Sequence, residues 1–137
     1  MRESGFGAVE WIIGLALMVV PVAAVVLSIA PWFQRATALD AGAAEAARAV
    51  VLAADANSAD RAVAAIVAEI EGRYCDGPCV TIALDPEKPE DLVRGGWVDA
   101  RAQMRMPGLV VPLIGRVGSF MYVVSHREAV DPYRSVP

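Results

Sequence analysis

The sequence predicts an α+β protein: a long N-terminal helix that crosses a membrane and continues beyond it, a second helix, and a small antiparallel three-stranded sheet. Three observations carry that prediction. Trp11 to Ala30 is a run of twenty residues without a charge. An Ala-rich stretch free of Pro follows it, and the last third of the chain turns to alternating patterns between Pro- and Gly-bearing connectors. A length of 137 residues leaves room for one small domain beside a membrane element.

The apolar run WIIGLALMVVPVAAVVLSIA lacks the polar residue at every turn that a soluble amphipathic helix carries, and at ~1.5 Å per residue it covers about 30 Å, the hydrocarbon thickness of a bilayer. Residues 6–33 are assigned to this transmembrane helix. Trp11 and Trp32 stand at its two ends as membrane-interface aromatics. A buried core helix would need more surrounding chain than so small a domain supplies. Pro21 removes one backbone hydrogen bond in mid-span and opposes the carbonyl of Leu17, which predicts a kink. A cleaved secretory signal is the competing reading, because Ser28-Ile29-Ala30 has small residues at the spacing of a cleavage site. Against it, the run exceeds the usual ~7 to 15 residues of a signal core, and Pro31 would follow the cut.

Residues 34–74 form a helical region on the far side. From Gln34 to Ala54 one helical stripe gathers Leu39, Ala43, Ala46, Val50 and Ala53, and small residues there let another element approach closely. Asn57, Ser58 and Asp60 break and recap the chain, after which Val63, Ile66, Val67 and Ile70 mark the apolar face of a second helix ending near Gly72. Residues 75–130 hold the sheet. Val80 to Leu84 is short and β-prone; Trp97 to Met106 alternates, with Val98, Ala100, Ala102, Met104 and Met106 on one side; Phe120 to Ser125 is the third strand. The stretches DPEKPEDLVRGG and PGLVVPLIGRVG separate them. Residues 131–137, DPYRSVP, are a flexible tail.

A net charge of −4 and a pI near 4.9 leave no basic excess to meet phosphates, so nucleic acid is not an expected partner. One His and two Cys argue against a metal site, and no nucleophile-and-base pair can be assembled, so no catalytic residue, cofactor or small-molecule substrate is expected. His126 is assigned no function. Cys75 and Cys79 frame CDGPC, whose Gly77 and Pro78 suit a turn that brings the sulfurs together. A disulfide there requires an oxidising compartment; two inert thiols are the remaining reading, since redox pairs usually have two intervening residues. Glu45 and Arg48, three apart on a helix, form a local ion pair or one between subunits.

Before the span stands Gly5-Phe6-Gly7-Ala8-Val9-Glu10, and here the chain resembles type IV pilins and pseudopilins. From GFGAVEW through the span to AAEAARAV, and again at SHREAVDPYRS, it is similar to the TadE-like proteins of tight-adherence (Flp) pilus systems, in their actinobacterial form. The resemblance implies that residues 1–5 are a leader removed by a prepilin peptidase between Gly5 and Phe6, although this leader is short and carries Glu3 beside Arg2. It also implies that Glu10 is the assembly carboxylate. An acid at the edge of hydrocarbon costs up to ~2.5 to 3.5 kcal/mol if carried to the centre unpaired, and a neighbouring subunit's free amine would pair with it. The competing reading leaves Glu10 in the interface, favoured by water and the helix dipole.

With Arg2 before the span and Arg35 after it, flanking charge does not set the orientation. The cysteines and the resemblance place the C-terminal domain outside the cytoplasmic membrane. The expected function is that of a minor pilin-like structural subunit in a tight-adherence pilus, partnered by lipid, other pilin or pseudopilin subunits, the assembly platform and the peptidase. The alternative is a permanently anchored single-pass envelope protein whose ectodomain scaffolds other membrane or secretion components.

Overall fold

The structure is a computed structural model that describes residues 4–111 and 113–133. Its elements are α1 (Ser4–Leu52), α2 (Ala56–Tyr74), β1 (Val80–Asp85), a 3₁₀ turn over Pro89–Asp91, β2 (Trp97–Val111) and β3 (Gly115–Ala129). The strands form an antiparallel sheet in the order β1-β2-β3. The chain divides into two compact units: residues up to Phe33 with Pro107–Phe120, and Gln34–Met106 with Met121 onward.

In the larger unit, the stripe Leu39, Ala43, Ala46 and Val50 of α1 is buried with Ala53 just beyond its end, and so is every member of the β2 series Val98, Ala100, Ala102, Met104 and Met106. Leu39, Ala43 and the β2 series form the main core together with Ile70 of α2 and Val80 of β1. The small residues on α1 are what let two layers close over one another. Gly42 makes the closest approach, since a Cβ added there would stand 2.5 Å from Cδ1 of Ile70. A second cluster of Val50, Ala53 and Ala59 lies against Val63 and Leu84.

The start of α2 falls at Asp55 rather than among Asn57 to Asp60. Asp55 accepts the Ser58 N–H at 2.7 Å, and the Ser58 hydroxyl lies 3.3 Å from the Asp55 N–H, closing a capping box. Those hydrogen bonds from Ser58 hold the Asp55 carboxyl below its ordinary pKa. β1 pairs with β2 from Val80 opposite Met104 to Asp85 opposite Asp99. On the exposed face Arg127 donates from Nε to Asp99 at 2.6 Å and from Nη2 at 2.9 Å, a two-pronged link between β2 and β3. It lowers the pKa of Asp99 and raises that of Arg127.

The smaller unit departs from the sequence expectation. PGLVVPLIGRVG, read as a separator, lies within the hairpin of β2 and β3: the strands extend to Val111 and begin at Gly115. The Ile114 N–H donates to the Val111 carbonyl at 3.2 Å across the turn. Leu113 adopts φ 72°, a left-handed conformation costing an L-residue roughly 1 to 2 kcal/mol. Gly108 accommodates a close approach by the Val117 carbonyl that a Cβ would block. Periodicity missed this arm because its residues are apolar on both faces and interrupted by Pro and Gly.

Candidate membrane-embedded assembly site

α1 is one unbroken helix of 49 residues with Pro21 and Pro31 inside it. Between Val9 and Leu52 it contains a segment long and apolar enough to cross a membrane, and that segment is almost wholly uncovered. Large side chains such as Ile12, Leu17, Met18, Val22 and Leu27 are exposed along it. Exposure of this kind is costly in water, because each exposed large side chain forfeits about 1.5 to 3 kcal/mol of burial free energy.

Glu10 lies on this bare helix, exposed, in a shallow open depression lined by Gly7, Trp11, Gly14, Leu15 and Met18. Gly7 and Gly14 stand three residues before and four residues after it, on the same helical face. A Cβ at either would meet nothing within 4 Å, so among the described residues no contact accounts for a residue that weakens a helix by roughly 0.5 to 1 kcal/mol relative to Ala. Of the cleavage residues, Gly5 and Phe6 are helical in backbone, and nothing further of them falls within the described residues; Met1 to Glu3, the start of the leader, and the tail from Arg134 lie outside.

The two Trp residues differ in their surroundings. Trp11 is 77% exposed. Trp32 is half-buried, donates from Nε1 to the Pro107 carbonyl at 2.8 Å, and meets the edge of Phe120 at 5.7 Å between ring centroids. One turn earlier Ser28, 1% exposed, donates to the Ala24 carbonyl at 2.7 Å and accepts the Val110 N–H at 2.9 Å. Ala24, a turn earlier again, is also buried. Ala24, Ser28 and Trp32 therefore form a covered strip on a stretch of α1 that is otherwise mostly open. Sequence reasoning assigned Ser28 only to a cleavage site and did not pair Trp32 with the hairpin.

Cys75 and Cys79 are joined in a disulfide with a Cα–Cα distance of 6.3 Å. Glu71 organises the chain around it. Its carboxylate accepts the N–H groups of Cys79 at 2.7 Å and Val80 at 3.0 Å, and its carbonyl accepts the Cys75 N–H at 2.9 Å. The backbone donors of Val80 and Cys79 hold the Glu71 carboxyl below its ordinary pKa. Arg35 reinforces the same corner, donating to the Tyr74 carbonyl at 3.1 Å and lying 6.0 Å from the Tyr74 ring centroid. A lone acid four residues before a cysteine gives no sequence signal for this role.

Arg48, expected beside Glu45, lies 3.9 Å from the carboxylate of Glu128, and His126 lies 3.5 Å from the same side chain. Among the described residues no cluster of three or more His, Cys, Asp or Glu side chains is placed to hold a metal ion. No family model, curated protein or solved structure matches this chain.

Proposed function

We propose that this protein is a minor, pilin-like structural subunit of a tight-adherence pilus: anchored by the first part of α1, extracted from the membrane, and packed helix against helix. The supporting observation is the strip around Glu10, where Gly7 and Gly14 leave a flat path on a bare apolar helix that nothing among the described residues covers. Small residues of this kind let a second helix approach closely in an apolar medium, and Glu10 supplies the charge that rewards correct axial register. The resemblance of GFGAVEW and AAEAARAV to TadE-like proteins supports the same reading, with Phe6 as the mature amino terminus and the disulfide-bearing domain outside the cytoplasmic membrane.

The experiment is intact-mass analysis of membrane and shed-filament fractions for the unaltered chain and for Glu10→Ala. The expected results are a mature chain beginning at Phe6, and a Glu10→Ala variant that inserts in the membrane but is absent from filaments. Retention of Met1, with Glu10→Ala indistinguishable from the parent, overturns the proposal. A second reading, a permanently anchored envelope protein, draws support from the covered strip. Hydrogen bonds from Val110 to Ser28 and from Trp32 to Pro107 occupy one face of the helix that a filament neighbour would otherwise use.

A further inference from the structure

We infer that the tip of the β2–β3 hairpin, from Leu109 to Phe120, is a second membrane-inserting element that enters the bilayer beside α1 as an interfacial wedge. This inference rests on the reading of the first part of α1 as a membrane span.

Four observations carry it. From Met106 to Ser125 the only charged side chain is Arg116, and Leu109, Leu113, Ile114, Val117 and Phe120 are exposed. The tip and α1 up to Phe33 belong to one compact unit, in which Phe120 meets Trp32 edge-on. Second, direction: β2 meets Trp32 at Pro107 and Ser28 at Val110. The strand therefore runs toward the N-terminal end of α1, and its turn at Leu113 and Ile114 points further into the apolar run.

Third, a strand entering an apolar medium must have its outward backbone groups satisfied by protein, because lipid offers no partner. The helix supplies two of them, the Ser28 hydroxyl for the Val110 N–H and the Trp32 indole for the Pro107 carbonyl. Pro107 itself brings no N–H. Fourth, Leu113 occupies φ 72° while fully exposed. Gly or Asn suits that position far better, and the wedge gives the Leu a place against acyl chains. Arg116 carries its charge on a long stem that reaches back to anionic headgroups. An open strand edge bars passage to the bilayer centre, which places the tip at the level of the headgroups and upper acyl chains.

The test uses the full chain, with Cys75 and Cys79 tied in their disulfide, reconstituted in vesicles of phosphatidylethanolamine and phosphatidylglycerol. A fluorophore sensitive to polarity is attached to a single new cysteine at Ile114→Cys, Val19→Cys on the bare helix, or Thr81→Cys on β1, and quenched by nitroxides at shallow or deep acyl positions. The inference expects Ile114→Cys to be quenched at least several-fold more than Thr81→Cys, and more by the shallow than by the deep nitroxide. Quenching at Val19→Cys without quenching at Ile114→Cys overturns the inserted hairpin while the span stands. The same holds if Ile114→Cys crosslinks to a second copy and escapes the nitroxides. Absence of quenching at Val19→Cys overturns the span, and the wedge with it. A Leu113→Asn chain should fold as the parent does and reduce the quenching of a label at Val117→Cys; unchanged quenching counts against the wedge.

Discussion

The Ser28 hydroxyl accepts the Val110 N–H at 2.9 Å, joining the middle of a long apolar helix to a strand eighty-two residues later in the chain. The same hydroxyl donates to the Ala24 carbonyl at 2.7 Å, so it both donates and accepts within the protein. Ser28→Ala leaves the Val110 amide without its acceptor in a place where water is scarce, a loss of about 1 to 3 kcal/mol. The expected outcome is faster hydrogen exchange at Val110, by roughly tenfold or more, since each 1.4 kcal/mol corresponds to about a factor of ten. Unchanged exchange at that amide would show the bond to be unimportant for holding the hairpin.

Glu71 makes the stability of the β domain depend on acid. Its folded-state pKa lies below the ordinary carboxylate value because Val80 and Cys79 donate to the ionised form. The stabilisation is therefore fully present above the unfolded carboxyl pKa and is lost as pH falls through the depressed folded value. Glu71→Gln keeps the shape and an acceptor oxygen but loses the charge. Urea midpoints should fall for this variant at neutral pH and converge with those of the parent under acid. A constant gap between the two across that range would assign the depressed pKa to nothing that matters for folding.

Much of this arrangement is legible in the sequence where a period survives. The stripe Leu39, Ala43, Ala46, Val50, Ala53 repeats at helical spacing and is buried, and the β2 series from Val98 to Met106 alternates and is buried residue by residue. The short CDGPC spacing likewise announced a disulfide that forms. What the sequence hid lacks a period. The hairpin tip is apolar whichever way its residues face, so its Pro and Gly read as punctuation. Arg48 meets Glu128 and not the adjacent-turn Glu45 because the sheet returns across α1, and no local rule anticipates a partner eighty positions away. For Glu10, the sequence supplies the acid and the flanking glycines, and the structure leaves that face of the helix exposed.

The Cys75–Cys79 link closes a short loop, and chain-entropy reasoning gives such a loop about 2 kcal/mol. Reduction should therefore weaken the β domain without dissolving it, because Glu71 still holds the Cys79 and Val80 amides. Denaturant unfolding of the Cys75→Ser, Cys79→Ser double variant is expected to show an unfolding free energy lower by that amount, read as a lower midpoint with an unchanged slope. Combining it with Glu71→Gln should cost more than the sum of the two, since each restrains the loop the other leaves free. Strict additivity would mean that the acid and the disulfide act on different parts of the chain.

Gly42 tests how closely α1 and α2 must approach. A Cβ at this position falls 2.5 Å from Cδ1 of Ile70, too near for contact, yet the atom it meets is the far end of a flexible side chain. Alanine also gains about 0.8 to 1 kcal/mol of helix propensity over glycine. The two effects oppose each other, so Gly42→Ala should lie within about 1 kcal/mol of the parent, the Ile70 rotamer absorbing the methyl. Gly42→Leu brings atoms that no rotamer change at Ile70 can clear, and overpacking of that kind costs typically 1 to 3 kcal/mol. Thermal unfolding of both variants separates these cases. If leucine is tolerated as well as alanine, the two helices are held apart by something other than this contact, and the small-residue stripe on α1 is not what sets their distance.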